Sequence, residues 1–171
     1  MAAEEEKNLI YIGNDHGGWQ LKQAILKYLQ GRGIPYVDCG SDSTEIVRYP
    51  YYAAQVAEAV SNKKASRGIL ICSTGIGMSI LANRFKGVRA SLCTDTYMAK
   101  MTRRHNNSNL LCLGGKITGE FEALDILETW LDEEYEGGRH DISLGLIHEA
   151  EERICREIIP AAEEILPGPR K

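Results

Sequence analysis

Five short apolar runs, each followed by a segment whose apolar residues recur at helical spacing, constrain this 171-residue chain more than any other feature. Leu9 to Gly13, Ile34 to Asp38, the stretch around Ile69 to Ile71, Arg89 to Cys93 and Asn109 to Leu113 read as strands. Helices are predicted from about Trp19 to Gln30, Tyr49 to Val60, Gly77 to Arg84, Thr96 to Arg104 and Thr118 to Asp132. Strands and helices that alternate over short connections close into a parallel sheet covered on both faces. The expected fold is α/β: a three-layer α/β/α sandwich, Rossmann-like and doubly wound on a five-stranded parallel sheet, with a long C-terminal helix added.

Residues 8–140 form the expected sandwich domain, and residues 141–171 a C-terminal helix and tail. After a break at Tyr135 to His140, Ile147, Ala150, Ile154, Ile158, Ala161 and Ile165 repeat at three and four residues, predicting a helix from about Ile142 to Leu166 that stops at Pro167-Gly168-Pro169. Such a helix packs on its own domain or on a partner subunit, and the partner is the preferred reading.

A net charge of −4 offers no basic footprint for nucleic acid, and no apolar run approaches the roughly 20 residues of a membrane span. Met1 to Lys7 carries three glutamates and no apolar core of a signal peptide, so a cytoplasmic location is expected. The five cysteines, Cys39, Cys72, Cys93, Cys112 and Cys155, include no Cys-x-x-Cys pair and fit reduced thiols better than a disulfide framework.

The third strand carries the chemistry. It ends in Cys72-Ser73-Thr74-Gly75-Ile76-Gly77 before an apolar segment resumes, which is a strand, a ligand loop and a helix start. Loops at the carboxyl edge of a parallel sheet bind ligands, and their amides can face an anion. Three polar clusters are expected to converge there: Asn14-Asp15-His16-Gly17, Cys72 to Gly77, and the helix end Arg103 to Asn107. Together they supply a thiol, two imidazoles, a carboxylate and a glycine-rich nest of amides, a set suited to proton transfer at a polar carbonyl compound. Each has a plainer reading. A cysteine at a buried strand end is more often inert core, although thiolate beside amide donors is a useful base. His16 or His105 alone reads as a surface or capping residue, at least one of Arg103 and Arg104 as a complement to the helix dipole, and Asp15 as a cap for the helix that follows.

Competing motifs fail on the letters. Gly75-Ile76-Gly77-Met78-Ser79-Ile80 lacks the third glycine of a dinucleotide fingerprint. A phosphatase of the Cys-x5-Arg kind needs a guanidinium where this chain has Met78. Ligation of a metal by Asp15, His16 and His105 has no spaced motif behind it, so neither metal nor cofactor is expected.

Asp15-His16-Gly17, Tyr49-Pro50, Gly68 to Gly77, Asn83, Gly87-Val88-Arg89, Arg104 to Asn109 and Glu136 to His140 together resemble the ribose-5-phosphate isomerase B and galactose-6-phosphate isomerase family, in order and at family spacing. The resemblance implies a cofactor-free aldose–ketose isomerase, dimeric or tetrameric, with active sites shared between subunits. Carried over by position, Cys72 is the base that moves a proton between C1 and C2 through an enediolate, since the glutamate that serves other members falls at Met78. His105 opens the furanose ring and Thr74 holds or relays a hydroxyl proton. Asp15, His16, Tyr49, Ser73, Gly75, Ile76, Gly77 and Asn106 match substrate contacts, and Lys116 and Arg139 phosphate contacts. Loop amides preset for the enediolate contribute roughly 3 to 4 kcal/mol per strong donor.

Three departures bear on the phosphate end. Lys116 replaces an arginine, Ser143 replaces a second arginine four residues beyond Arg139, and the family's Asp-Tyr-Pro reads Arg48-Tyr49-Pro50. Either the anion site is rebuilt, with Arg48 as a candidate, or the preferred substrate is another tetrose, pentose or hexose phosphate. A non-catalytic sugar-phosphate-binding subunit is the remaining alternative, because galactose-6-phosphate isomerases pair two unlike chains.

Overall fold

The computed structural model describes residues 9–158. Five parallel strands form one sheet in the order β2-β1-β3-β5-β4: β1 (Ile10–Asn14), β2 (Tyr36–Asp38), β3 (Arg67–Cys72), β4 (Ala90–Leu92) and β5 (Leu110–Gly114). Six helices accompany them: α1 (Trp19–Gly31), α2 (Tyr49–Ser61), α3 (Ile76–Ala82), α4 (Thr96–Asn106), α5 (Glu120–Asp132) and α6 (Arg139–Ile158). The three-layer sandwich expected from the alternation is the fold observed.

Alternation of side chains along each strand divides the core. Ile10, Ile12, Ile69, Ile71, Leu111 and Leu113 face α1, α4 and α5, where Leu21, Ile25, Ala99, Ile126 and Trp130 are buried against them. Leu70, Cys72, Leu110 and Cys112 face α2 and α3, meeting Val56, Val60 and Met78. The strand order reverses between β1 and β3, because β2 lies on one side of β1 and β3 on the other. Ligand crevices open at such a reversal, at the carboxyl ends of the strands.

Two details alter the sequence reading. The last helix begins at Arg139, three residues earlier than expected, because Gly137 (φ 63°) and Gly138 (φ 62°) complete the turn in the left-handed region and leave His140 inside the helix. Its side of the molecule is also thinly covered: Ile142, Leu146, Ile147 and Ile154 are 70%, 60%, 47% and 56% exposed. Its links to the domain include Glu151 accepting from the Gly87 amide at 3.1 Å and a Lys86–Glu152 ion pair. The predicted continuation to Leu166, the stop at Pro167 to Pro169 and the side chain of Cys155 lie outside the described residues. Cys39, Cys72, Cys93 and Cys112 are free thiols.

Candidate active site

Cys72 is the last residue of β3, 6% exposed, at the α2/α3 side of the sheet. The chain then turns through Ser73 and Thr74 to Gly75, whose φ of 75° starts α3. Only glycine suits that position: a side chain there is strained by its left-handed backbone, and a Cβ would lie 2.5 Å from Leu92 Cδ1. The turn aims the Gly75 amide back at the thiol, donating to Cys72 Sγ at 3.1 Å. Thr74 Oγ1 accepts from the Ile76 amide at 3.4 Å and is exposed at the loop surface. Met78 is fully buried, so the place where a glutamate base would stand belongs to the core.

The loops after β1, β3 and β5 touch. The Asp15 amide donates to Ile71 O at 3.1 Å, Gly115 to Cys72 O at 2.8 Å, and Lys116 to Ser73 O at 3.0 Å. Glycines make this approach possible, since a Cβ on Gly17 would sit 2.2 Å from Ser73 Oγ and one on Gly115 2.5 Å from Gly17 O. Asp15, buried, folds its own loop by accepting from the Gly17 amide at 2.8 Å. His16 Nδ1 accepts from the Val47 amide at 3.3 Å, which ties the loop before α2 to the first loop. That loop is anchored from beneath: Lys22, 2% exposed, donates to Ser41 O at 2.7 Å and pairs with Asp38 at 2.9 Å. Asp15, His16, Val47, Arg48 and Tyr49 line a cleft of about 430 Å³. The Tyr49 ring closes its inner side against Gly77, where a Cβ would fall 2.7 Å from Cζ.

Burial separates the cysteines. It pushes the Cys93 thiol up to about 12, with Asp95 adding to the effect, and raises Cys112 well above the ordinary thiol range. Both are core residues. Among the described residues, Cys72 alone of the buried thiols sits at a loop mouth with an amide donor on its sulfur.

The third expected cluster lies elsewhere. A crossover helix runs antiparallel to its strands, so α4 starts at the carboxyl edge and ends at the amino edge. His105 and Asn106 are therefore beside the start of β5, where Arg89 Nε donates to Asn106 O at 3.1 Å and Arg89 N to Asn109 Oδ1 at 2.8 Å. Five residues of β5, at about 3.3 Å each, put that edge roughly 15 Å from the loop that holds Cys72. Within one chain His105, Asn106 and Arg139 do not join Cys72, Asp15, His16, Tyr49 and Lys116. The expectation of a single convergent cluster fails because a run of polar letters after a helix does not say at which edge the helix ends.

The amino-edge group has its own order. Arg103 is structural: its guanidinium, pushed down to about 10 by burial and by Arg67 and Arg89, lies 5.7 Å over the Trp130 ring and donates to Ser108 O. Arg104 pairs with Glu133 at 2.5 Å and with Glu136 at 3.5 Å. The His105 and His140 rings stack with centroids 4.2 Å apart, and both approach Glu136 Oε2, at 3.8 and 3.7 Å. Reading the sequence for site residues missed Glu136 and His140. Their separation by four residues was the available signal, and the expected break at that point concealed it.

The Ribose/Galactose Isomerase family matches residues 10–147, which span β1 through the first part of α6. The chain belongs to that family. It is 44% identical over 144 residues to ribose-5-phosphate isomerase B of Escherichia coli, covering 84% of this chain and 97% of that protein. Its fold superposes on that of Clostridium thermocellum ribose-5-phosphate isomerase B with a TM-score of 0.83 at 48% identity, covering 85% of this chain and 98% of that one. The Mycoplasma genitalium ribose-5-phosphate isomerase B, solved with bound ribulose 5-phosphate, gives 0.81 at 36% identity, covering 84% and 96%.

Proposed function

We propose that this family member is an aldose–ketose isomerase that interconverts ribose 5-phosphate and ribulose 5-phosphate by proton transfer through an enediolate. The observation that carries the mechanism is the Cys72 sulfur held 3.1 Å from the Gly75 amide at the mouth of a glycine-lined loop. Thiolate Cys72 takes the proton from C2 of the open-chain aldose and returns it to C1. The O2 proton leaves as the C2 carbonyl forms, O1 gains one, and Thr74 is the hydroxyl placed to relay between them. Charge that builds on the enediolate oxygens falls beside the amides of Ser73 to Gly77, and Asp15, His16 and Tyr49 hold sugar hydroxyls on the opposite wall. Every step uses side chains and amides of the fold, so the proposed chemistry calls on no cofactor.

The wide separation of Cys72 from His105 leads to the second part of the reading. One active site takes Cys72 and Lys116 from one chain and, from a second copy, the partner's His105, the partner's Asn106 and the partner's Arg139. His105 opens the furanose ring, and Lys116 and Arg139 meet the phosphate. A homodimer is supported by the exposed apolar faces of α3, with Ile76 at 51% and Ile80 at 56%, and of α6. Tetramers built from such dimers, and work in the cytoplasm, complete the reading.

Lys116, Ser143 and Arg48 mark either an anion site rebuilt for the same sugar, with Arg48 in it, or a preference for another tetrose, pentose or hexose phosphate. A panel of tetrose, pentose and hexose phosphates tests both. Interconversion of ribose 5-phosphate that falls about 10²- to 10⁴-fold in Cys72→Ala is expected. Turnover confined to another sugar moves the substrate assignment, and binding without turnover of any sugar returns the chain to the non-catalytic subunit.

A further inference from the structure

We propose that His105, Glu136 and His140 form a binding site for a borderline divalent cation, Zn²⁺ above all, and that filling it inhibits the isomerase by occupying His105. One ligand atom from each of the three residues lies within 4.8 Å of the other two. The two Nε2 to Oε2 separations, 3.8 and 3.7 Å, are too long for hydrogen bonds. They are close to the roughly 3.4 Å between ligands that each stand about 2.0–2.1 Å from a tetrahedral ion.

The surroundings orient the ligands. Glu136 keeps its Oε1 toward Arg104 Nη1 at 3.5 Å, and its amide donates to Arg104 O at 3.0 Å, so Oε2 is the oxygen turned to the imidazoles. Such outer contacts fix the direction of a ligating carboxylate. Both Nε2 atoms face the same carboxylate oxygen, at 3.8 and 3.7 Å, and the broad terminal torsion of histidine lets each ring tilt out of the stack so that its in-plane lone pair meets one ion. The left-handed pair Gly137 and Gly138 brings Glu136 back under the first turn of α6, where His140 stands four residues on.

Two imidazoles and one carboxylate suit zinc, whereas calcium and magnesium prefer oxygen alone. Three protein ligands leave a fourth position for water. The Arg104 cation, held by the same carboxylate, opposes a second cation and sets the expected affinity in the micromolar range. The inhibitory half rests on the role given to His105 above, because a metal-bound imidazole has no lone pair left to exchange a proton with the ring oxygen. The binding half rests on the geometry alone.

The test is zinc titration of the full chelator-stripped chain by calorimetry in a Cys72→Ser background, which removes the active-site thiol as a competing ligand, with circular dichroism to establish that each variant is folded. One Zn²⁺ per chain is expected, weakened about tenfold or more by His140→Gln and, independently, by the half-exposed Glu136→Gln. With Cys72 intact, Zn²⁺ is expected to inhibit sugar-phosphate isomerisation reversibly on adding chelator, and His140→Gln to need about tenfold more metal for the same fractional loss of its own rate. Absent binding, or binding undiminished in both variants, overturns the site. Binding that tracks both variants while isomerisation proceeds undisturbed overturns the inhibition and, with it, the role of His105, and leaves the reading of Cys72 intact.

Discussion

The two edges of the sheet are built on different principles. At the carboxyl edge the loops after β1, β3 and β5 are pressed together through backbone atoms, with Gly17 and Gly115 at the points of closest approach and Gly75 against β4 and β5. At the amino edge His105, Glu136, His140 and Arg104 are held by long, partly exposed side chains and charge. Backbone packing fixes geometry within fractions of an ångström, whereas exposed ion pairs contribute about 0–1 kcal/mol each and are screened by salt. In the proposed dimer each active site joins a rigid half from one chain to an adjustable half from the other.

The sharpest way to break this comparison is to mix its halves. Cys72→Ala and His105→Asn homodimers are each expected to be nearly inactive. Unfolded and refolded together, they recover about a quarter of the wild-type rate, because random pairing leaves about half of the dimers mixed, with one of two sites whole. Mixing that restores nothing, while both variants are folded dimers, breaks the shared-site reading.

Stability measures the contrast next. Gly75→Ala places a methyl in the left-handed region and against Leu92, and is expected to cost about 2 to 3 kcal/mol in urea unfolding. Glu136→Ala, which removes only exposed pairs, is expected to cost under about 1 kcal/mol. Equal losses would erase the distinction between the edges.

A third effect is electrostatic and concerns the sheet beneath the rigid edge. Cys93 and Cys112 stay neutral in the fold, raised by burial, while unfolded thiols ionise near 9.0. The stability this contributes is complete below about pH 9 and is lost as pH climbs toward the folded value, at roughly 1.4 kcal/mol per pH unit for each thiol. Urea midpoints should therefore fall between about pH 8.5 and about pH 10.5, and fall less steeply in Cys93→Ala. A slope unchanged by that substitution would remove Cys93 as its source.

Much of this was legible in the letters, and unevenly so. The sandwich follows from the alternation of periods, and the loop at Cys72 from an apolar strand that ends in glycines. Those are local signals. The edge on which His105 lies depends on the path of α4 across the sheet, which no local pattern encodes, so the polar clusters at its two sides read as one. Glu136 and His140 meet because two successive left-handed glycines let the helix start at Arg139, and a Gly-Gly pair in sequence shows a break without its direction. Lys22 escaped notice for another reason: a lysine on an amphipathic helix reads as solvated, and only the carboxylate of Asp38 and the carbonyl of Ser41 make its burial tolerable.

The glycine contacts among the three loops also bear on how such a protein changes over time. A methyl on Gly17 or Gly115 would meet another loop, and one on Gly18 the backbone of β3, at 2.2 to 2.5 Å, so these positions are closed to variation, and in the proposed site the reacting end of the sugar is met by the same surface in any descendant. In the proposed site, freedom to explore new substrates is left to the exposed side chains at the far end, Arg48 and Lys116 among them. In engineering terms the proposed chemistry is a fixed module and the proposed phosphate end its interchangeable fitting.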